Sequence, residues 1–423
     1  MRFKNIFRVL LIALVWWRPF LSASAYPYED TVYSLALLAV AFLALGKTTK
    51  LFQRPSVSLH MILLILAIYF STIFSASQEI SFALFYQWAV LIVVFFAVAG
   101  LPEKFKRMTV GMLWVNSGCI GIYALFWLLK GTFYTLDMLM KNGIRWAFAY
   151  EYLSRGRSFV PFVLPSSLAS YCILLLPLSV AFLYAPGPTT LRSPAKISVR
   201  NVCSLVIFLA LALTLITTQS LGAFLSLGIA LIIFALGQRN KSVQKATLIG
   251  LSVCIVFGLI ALFIRNTNVH AFNLPMVSLT QRLAYWRHAL TVIAQEPLFG
   301  HGIGNYPFFH GSSPHNSYLQ MWAETGILGF IAFVGIAYHS LKIDLTGLLK
   351  PQRTYYQALW LGNLAILIHN LVDFSLMQPE VALQWWVIVA LLASATNGAR
   401  TKNVCASDQG SGGPAGSEPE QQP

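Results

Sequence analysis

Residues 278–329 read SLTQRLAYWRHALTVIAQEPLFGHGIGNYPFFHGSSPHNSYLQMWAETGILG. This is the one long stretch that is neither apolar enough to span a bilayer nor polar enough to be disordered. On either side of it the chain differs in kind. Of 423 residues, 57% are hydrophobic and 10% charged, and the mean hydropathy is +0.68. Soluble domains carry about 25% charged residues. The composition therefore describes an all-α polytopic membrane protein. A span needs about 20 mostly apolar residues, because the hydrocarbon layer is about 30 Å thick and unpaired backbone groups there are costly.

Outward from that stretch, apolar runs fall at about 31–46, 57–75, 80–100, 108–129, 159–184, 201–217, 220–236, 247–264, 324–342, 355–375 and 381–398. With the first apolar segment, MRFKNIFRVLLIALVWW, they predict about twelve transmembrane helices. Nine lie within 1–264, with a smaller outer loop at about 130–158. A large, partly helical outer loop follows at 265–323, then three helices within 324–400. The tail 401–423, rich in Gly, Ser, Pro and Glu, reads as disordered and cytoplasmic. Ser22-Ala23-Ser24-Ala25 resembles a signal-peptidase site, so the first segment is either cleaved or retained as a short span. Retention is preferred, since polytopic proteins seldom need cleavage.

The formal net charge of +15 does not point to nucleic acid, because its distribution follows the spans. With the N-terminus inside, the inner segments hold clusters such as Arg2/Lys4/Arg8, Lys104/Lys106/Arg107 and Arg239/Lys241/Lys245. In all, 20 of the 29 basic residues fall inside. That is the positive-inside pattern, with both termini cytoplasmic. The cysteines form no CxxC pair and imply neither a disulfide framework nor a zinc site.

Within the opening stretch, 278–293 has helical periodicity. Leu279, Leu283, Trp286, Leu290 and Ile293 share a stripe, and Pro297 closes the pattern. Arg282 and Arg287 flank that stripe about 140° apart. Such a helix lies at the outer interface, where its arginines either snorkel to lipid headgroups or bind phosphate as bidentate donors. Gly300-His301-Gly302-Ile303-Gly304-Asn305 is a glycine-dense turn. Gly302 and Gly304 could present backbone N–H groups to an anion, or simply make a tight turn. His315 can serve as a structural hydrogen-bonder, a metal ligand or a proton acceptor, its ordinary pKa near 6.5 suiting the last. His301, His310 and His315 have no carboxylate or cysteine at metal-site spacing, and no Asp-x-Asp pair occurs, so no metal is expected.

The shorter outer loop adds Glu151, Arg155 and Arg157, followed by Pro161 and Pro165 at an irregular span start that could line a cavity. Near the C-terminus, His369 and Asp373 are four residues apart at the outer end of a span. They are either functional or a brace between helices.

Several of these pieces, in order, resemble a known family. His315-Asn316, nine residues, Gly326, two residues and Gly329 fit the pattern His-[Asn/Ser/Gln]-x9-Gly-x-x-[Gly/Thr/Tyr] of bacterial O-antigen ligases and related protein O-oligosaccharyltransferases. RLAYWRHAL…PLFGHGIGNYPF is similar to that family's Arg-containing helix and glycine turn, and HNLVDF to its C-terminal motif. One departure is Gln219-Ser220-Leu221-Gly222, where Leu221 stands at the place of an arginine in many members.

The resemblance implies a metal-independent glycosyltransferase of the inner membrane with no cofactor. Its partners would be an undecaprenyl-diphosphate-linked glycan, an acceptor glycan or glycolipid, and membrane lipids. Under that reading Arg282 and Arg287, with Arg157 and Arg155, clamp the diphosphate, and His315 accepts the acceptor's proton. Asn316 fixes the neighbourhood of His315, and Glu324 either orients His315 or caps its helix. Ligase and polymerase share these motifs. A transporter is the competing class, but its usual buried mid-membrane charges and repeated halves are not evident here.

Overall fold

The computed structural model describes residues 2–23, 26–45, 55–131, 156–184, 199–267, 275–307, 313–342 and 350–395, with scattered positions between 132 and 155. Among the described residues every regular element is helical. The helices are α1 (Arg2–Trp17), α2 (Pro27–Ala44), α3 (Pro55–Ile73), α4 (Gln78–Ala99), α5 (Glu103–Lys130), α6 (Pro165–Tyr184) and α7 (Val199–Thr218). They continue as α8 (Leu221–Leu236), α9 (Lys241–Thr267), α10 (Pro275–Gln295), α11 (Ser317–Leu341), α12 (Lys350–His369) and α13 (Pro379–Ala395). Short 3₁₀ turns follow α1 at Arg18–Phe20 and α12 at Ser375–Met377.

Six of these, α4, α5, α6, α7, α9 and α11, are long and apolar enough to cross a membrane. α8 and α13 are shorter apolar helices, as is the 59–73 part of α3. Where side chains face tells which helices form the interior. α13 is buried all round, with Trp385 and Trp386 at its centre, and α6 is buried from Leu168 to Leu175. A helix that is apolar on every side can sit only in the middle of a bundle. α6 packs on α7 and α12, α13 on α4, and α3 on α11. α9 is the reverse case. Ile249, Ile255, Val256, Leu259 and Phe263 are all exposed on it, an apolar surface too extensive for water. Lipid is the solvent that fits it.

α1 is part of this bundle. Leu11, Ile12 and Val15 are buried, Gln384 donates Nε2 to Val15 O at 2.8 Å, and Asn116 donates Nδ2 to Trp16 O at 3.0 Å.

Three boundaries differ from expectation, each for a local reason. The span expected from 324 begins as helix at Ser317, because Asn316 caps it with Oδ1 accepting from the N–H groups of Tyr318 and Leu319. Gly326 (φ 68°) then interrupts that helix. A Cβ there would lie 2.0 Å from Leu298 O, so glycine alone lets the end of the α10 segment cross this point. Finally, Asp373 does not share a helix face with His369: α12 ends at His369, and the following turn carries Asp373 back toward it.

Candidate active site

The break between α7 and α8 is where the site starts. Gln219 adopts a left-handed conformation (φ 53°) just past the end of α7, and the carbonyls of Thr217 and Thr218 are answered from outside the helix. Arg157 donates Nε to Thr218 O at 2.7 Å, and Arg265, in the last turn of α9, approaches Gln219 O with Nη1 at 3.5 Å. The strand of chain at 156–158 is tied down alongside: Ser158 N–H donates to Thr217 O, and Gln219 Nε2 to Gly156 O. Arg282 of α10 completes the group, close enough to Arg265 and Asp373 for their charges to act. Burial pushes its guanidinium below the usual range, and Asp373 opposes the shift. Three guanidiniums thus gather round one turn, with one carboxylate beside them.

His315 stands next to this group in the left-handed region (φ 47°), an uncommon place for a residue with a side chain. Its ring lies roughly parallel to Tyr285 of α10 (5.8 Å, 26°) and edge-on to Phe374 (5.1 Å, 84°). Nδ1 is buried with no hydrogen-bond partner. Burial lowers the pKa of His315, Asp373 raises it and Arg282 lowers it again, with a net fall. The imidazole is therefore neutral at pH 7 and able to accept a proton.

The backbone holds His315 and Asp373 in register. Ser317 N–H donates to both Asn370 O and Asp373 O at 3.0 Å, and Ser317 Oγ to Asn370 Oδ1 at 2.6 Å. Asp373 is fully buried. Its Oδ2 accepts from Ser170 Oγ and from Ser375 N–H, each at 3.3 Å, and lies 3.7 Å from His369 Nε2; Oδ1 has no partner. Gly222 lets α8 approach this corner, since a Cβ there would already be 3.3 Å from the His369 ring.

The structure brings Arg157, Arg282, His315 and Asp373 together and assigns other work to several predicted residues. Arg287 is exposed, about 200° round α10 from Tyr285, so a helix that turns Tyr285 and Arg282 toward His315 turns Arg287 away. Asn316 caps α11 through Oδ1 and donates Nδ2 to Leu371 O at 2.8 Å, so its work here is to position His315. Glu324 neither orients His315 nor caps α11. Its Oε2 accepts from Gly304 N–H and its Oε1 from Gln320 Nε2, both at 2.9 Å.

The glycine turn is likewise internal. Gly302 N–H donates to Glu324 O, and a Cβ on Gly302 would lie 2.2 Å from Ser75 Oγ, so the glycines serve close packing and present no anion cradle. Of the apolar stripe of α10 only Ile293 is buried. Leu279, Leu283 and Leu290 are exposed, while Ala289, Val292 and Ile293 pack on Tyr306 and Ala323. Arg155, Glu151 and His310 lie outside the described residues. Arg265 escapes the reading of the sequence; its one signal is a cation in the last turn of a helix whose other cations, Lys241 and Lys245, lie at the opposite end. Among the described residues no three His, Cys, Asp or Glu side chains form a metal set.

A helical membrane bundle with a buried cationic corner and a neutral histidine defines the class. Residues 206–334, from α7 to α11, match the O-antigen ligase family. A Rickettsia prowazekii protein named "Putative polysaccharide ligase" is 23% identical over 209 residues, covering 44% of this chain and 49% of that protein. A protein of the same name from Rickettsia typhi is 22% identical over 210 residues, 45% and 50% of the two chains. The chain spans about half the length of the curated relatives it matches. Over residues 206–334 the chain is thus similar to O-antigen ligases.

Proposed function

We propose that the chain transfers a glycan from an undecaprenyl-diphosphate carrier to an acceptor hydroxyl, at the periplasmic face of the bacterial inner membrane. The observation that carries this reading is the gathering of Arg157, Arg265 and Arg282 beside His315, with Asp373 the adjacent carboxylate. Three fixed cations and one anion leave a surplus of two positive charges, which matches a diphosphate. Guanidinium groups keep their charge and match phosphate oxygens in pairs. Arg265 takes the part expected of Arg287 and, two residues from Leu221 through the Gln219 carbonyl, stands in for the arginine missing there.

In the reaction, neutral His315 takes the proton of the acceptor hydroxyl while its oxygen attacks the anomeric carbon. The bond from that carbon to the diphosphate oxygen breaks, and the electron pair leaves with the carrier diphosphate. The three arginines neutralise the charge that grows there, and Asp373 stabilises the imidazolium. The leaving group needs no further activation, so positioning and charge neutralisation suffice. Attack opposite the leaving group gives inversion. Transfer assayed in proteoliposomes, with the product's anomeric configuration read by NMR, tests this. His315→Ala should abolish transfer, and undiminished transfer by His315→Ala or retention at the anomeric carbon would overturn the reading.

A further inference from the structure

Separated from the cationic corner by the first turns of α11 lies a cavity of about 90 Å³. Its walls are the end of α1, the helices α2 and α4, the glycine turn, α11 and the start of α13. Trp88 and Met377 contribute to an apolar lining, into which a few polar groups are set.

Arg18 donates from Nη1 to Asp30, which also accepts from Gln87 Nε2 at 3.1 Å. Arg18 is 2% exposed, yet its Nη2 has no partner. From α11, Gln320 gives its amide hydrogen to Glu324, and its Oε1 is buried without a partner. Two residues that line the cavity therefore each carry a buried polar atom without a partner, a condition that buried polar groups seldom tolerate.

The chemistry of the walls narrows the ligand. An anion would answer Arg18, but that charge is already balanced by Asp30, and the anion would face Glu324 and the Gln320 oxygen. A cation would face Arg18. A neutral group that both donates and accepts fits both, and a hydroxyl does so. The indole of Trp88 suits the C–H face of a ring that carries such hydroxyls.

Resting on the transferase reading above, we propose that this cavity is a sugar-binding subsite that holds one hydroxyl-rich ring of a glycan substrate. Gln320 and Glu324 lie five and nine residues beyond His315, about 8–14 Å along a helix axis. A chain of linked rings reaches that far, and a single small substrate does not. Donor and acceptor glycans share this chemistry, and the test separates them.

Ala382 lines the cavity from α13 and is 2% exposed. Ala382→Phe fills the space from that wall, Ser34→Leu fills it from α2, and Ala382→Ser leaves it open. The full chain in nanodiscs is titrated with the oligosaccharide freed from the donor lipid and, separately, with the delipidated acceptor glycan, reading tryptophan fluorescence. Transfer kinetics are then measured with each substrate varied in turn.

The expected result is that a filled variant weakens one of the two oligosaccharides tenfold or more. The same variant raises KM for the corresponding substrate alike and leaves kcat within twofold, while Ala382→Ser matches wild type. Which substrate responds identifies the source of the ring. Oligosaccharide binding that Ala382→Phe abolishes, in a protein that performs no transfer, supports the subsite and overturns the transferase reading instead. Transfer with both KM values unmoved in whichever filled variant folds overturns the subsite and leaves the transferase reading standing. Binding of neither oligosaccharide to wild type, as for a cavity holding water alone, likewise overturns it.

Discussion

Replacing Arg265 by alanine should lower kcat for glycan transfer by about 10²-fold. Arg265 is 9% exposed and its guanidinium sits at the α7–α8 turn beside Arg282. As the glycosidic bond breaks, about one further negative charge develops on the leaving diphosphate. At about 5 Å and an effective dielectric of about 20, one guanidinium stabilises that charge by about 3 kcal/mol, which is about 10²-fold in rate. Arg287 gives the contrast. It is exposed, and at about 10 Å through water the same sum gives about 0.4 kcal/mol, about twofold, further reduced by salt.

Because the charge grows during the reaction, the loss should fall on kcat more than on KM. The bond from Arg265 to Gln219 O is long, and its loss costs the fold about 1 kcal/mol. Arg265→Lys should recover part of the rate, keeping the charge without the planar fork. The assay is transfer of a fluorescent glycan in proteoliposomes, with folding checked by size exclusion. An Arg265→Ala rate within fivefold of wild type, or an Arg287→Ala loss as deep as that of Arg265→Ala, would refute the reasoning.

Other outcomes follow from the same geometry. On an Arg265→Ala background, Leu221→Arg should restore at least tenfold of the lost rate; the single variant Leu221→Arg, added beside three arginines already present, should not raise it. The reaction requires neutral His315, whose pKa is lowered, so kcat/KM should fall only as pH drops below about 6.5. Arg282→Gln removes a lowering influence and should move that acid limb up, while Asp373→Asn removes a raising one and should move it down; limbs that stay put would exclude His315 as the base. Asn316→Ala leaves the first N–H groups of α11 uncapped and should cost about 0.5–2 kcal/mol, read as a lowered Tm. Gly302→Ala, with φ 103° and Ser75 Oγ 2.2 Å from the new carbon, should cost about 1–3 kcal/mol; an unchanged Tm would restore the turn to a ligand-facing role.

Much of the helical organisation is legible in the sequence, because burial in lipid demands long apolar runs whatever the tertiary contacts. The α7–α8 break at 217–220 and the helical segment before Pro297 are visible for similar local reasons. What escapes is whatever depends on contacts distant in the chain. Residues 317–325 look too polar for a helix, yet Asn316 caps them and Gln320 and Glu324 find partners in each other and in Gly304. The glycine turn reads as an anion cradle until its N–H groups are seen bonded to α11. Arg282 and Arg287 are equivalent on a helical wheel; only the position of Tyr285 against His315 tells which one turns inward. Arg265, at the end of a lipid-facing helix, resembles any interfacial cation until α7 and α8 are folded against it.

The most direct test is a cryo-EM map of the full chain in nanodiscs with undecaprenyl diphosphate bound. The diphosphate should lie within about 3 Å of the guanidinium nitrogens of Arg265 and Arg282, beside the His315 ring and next to the α7–α8 turn. Density for the diphosphate at the exposed face near Arg287, or at the opposite end of the bundle, would contradict it.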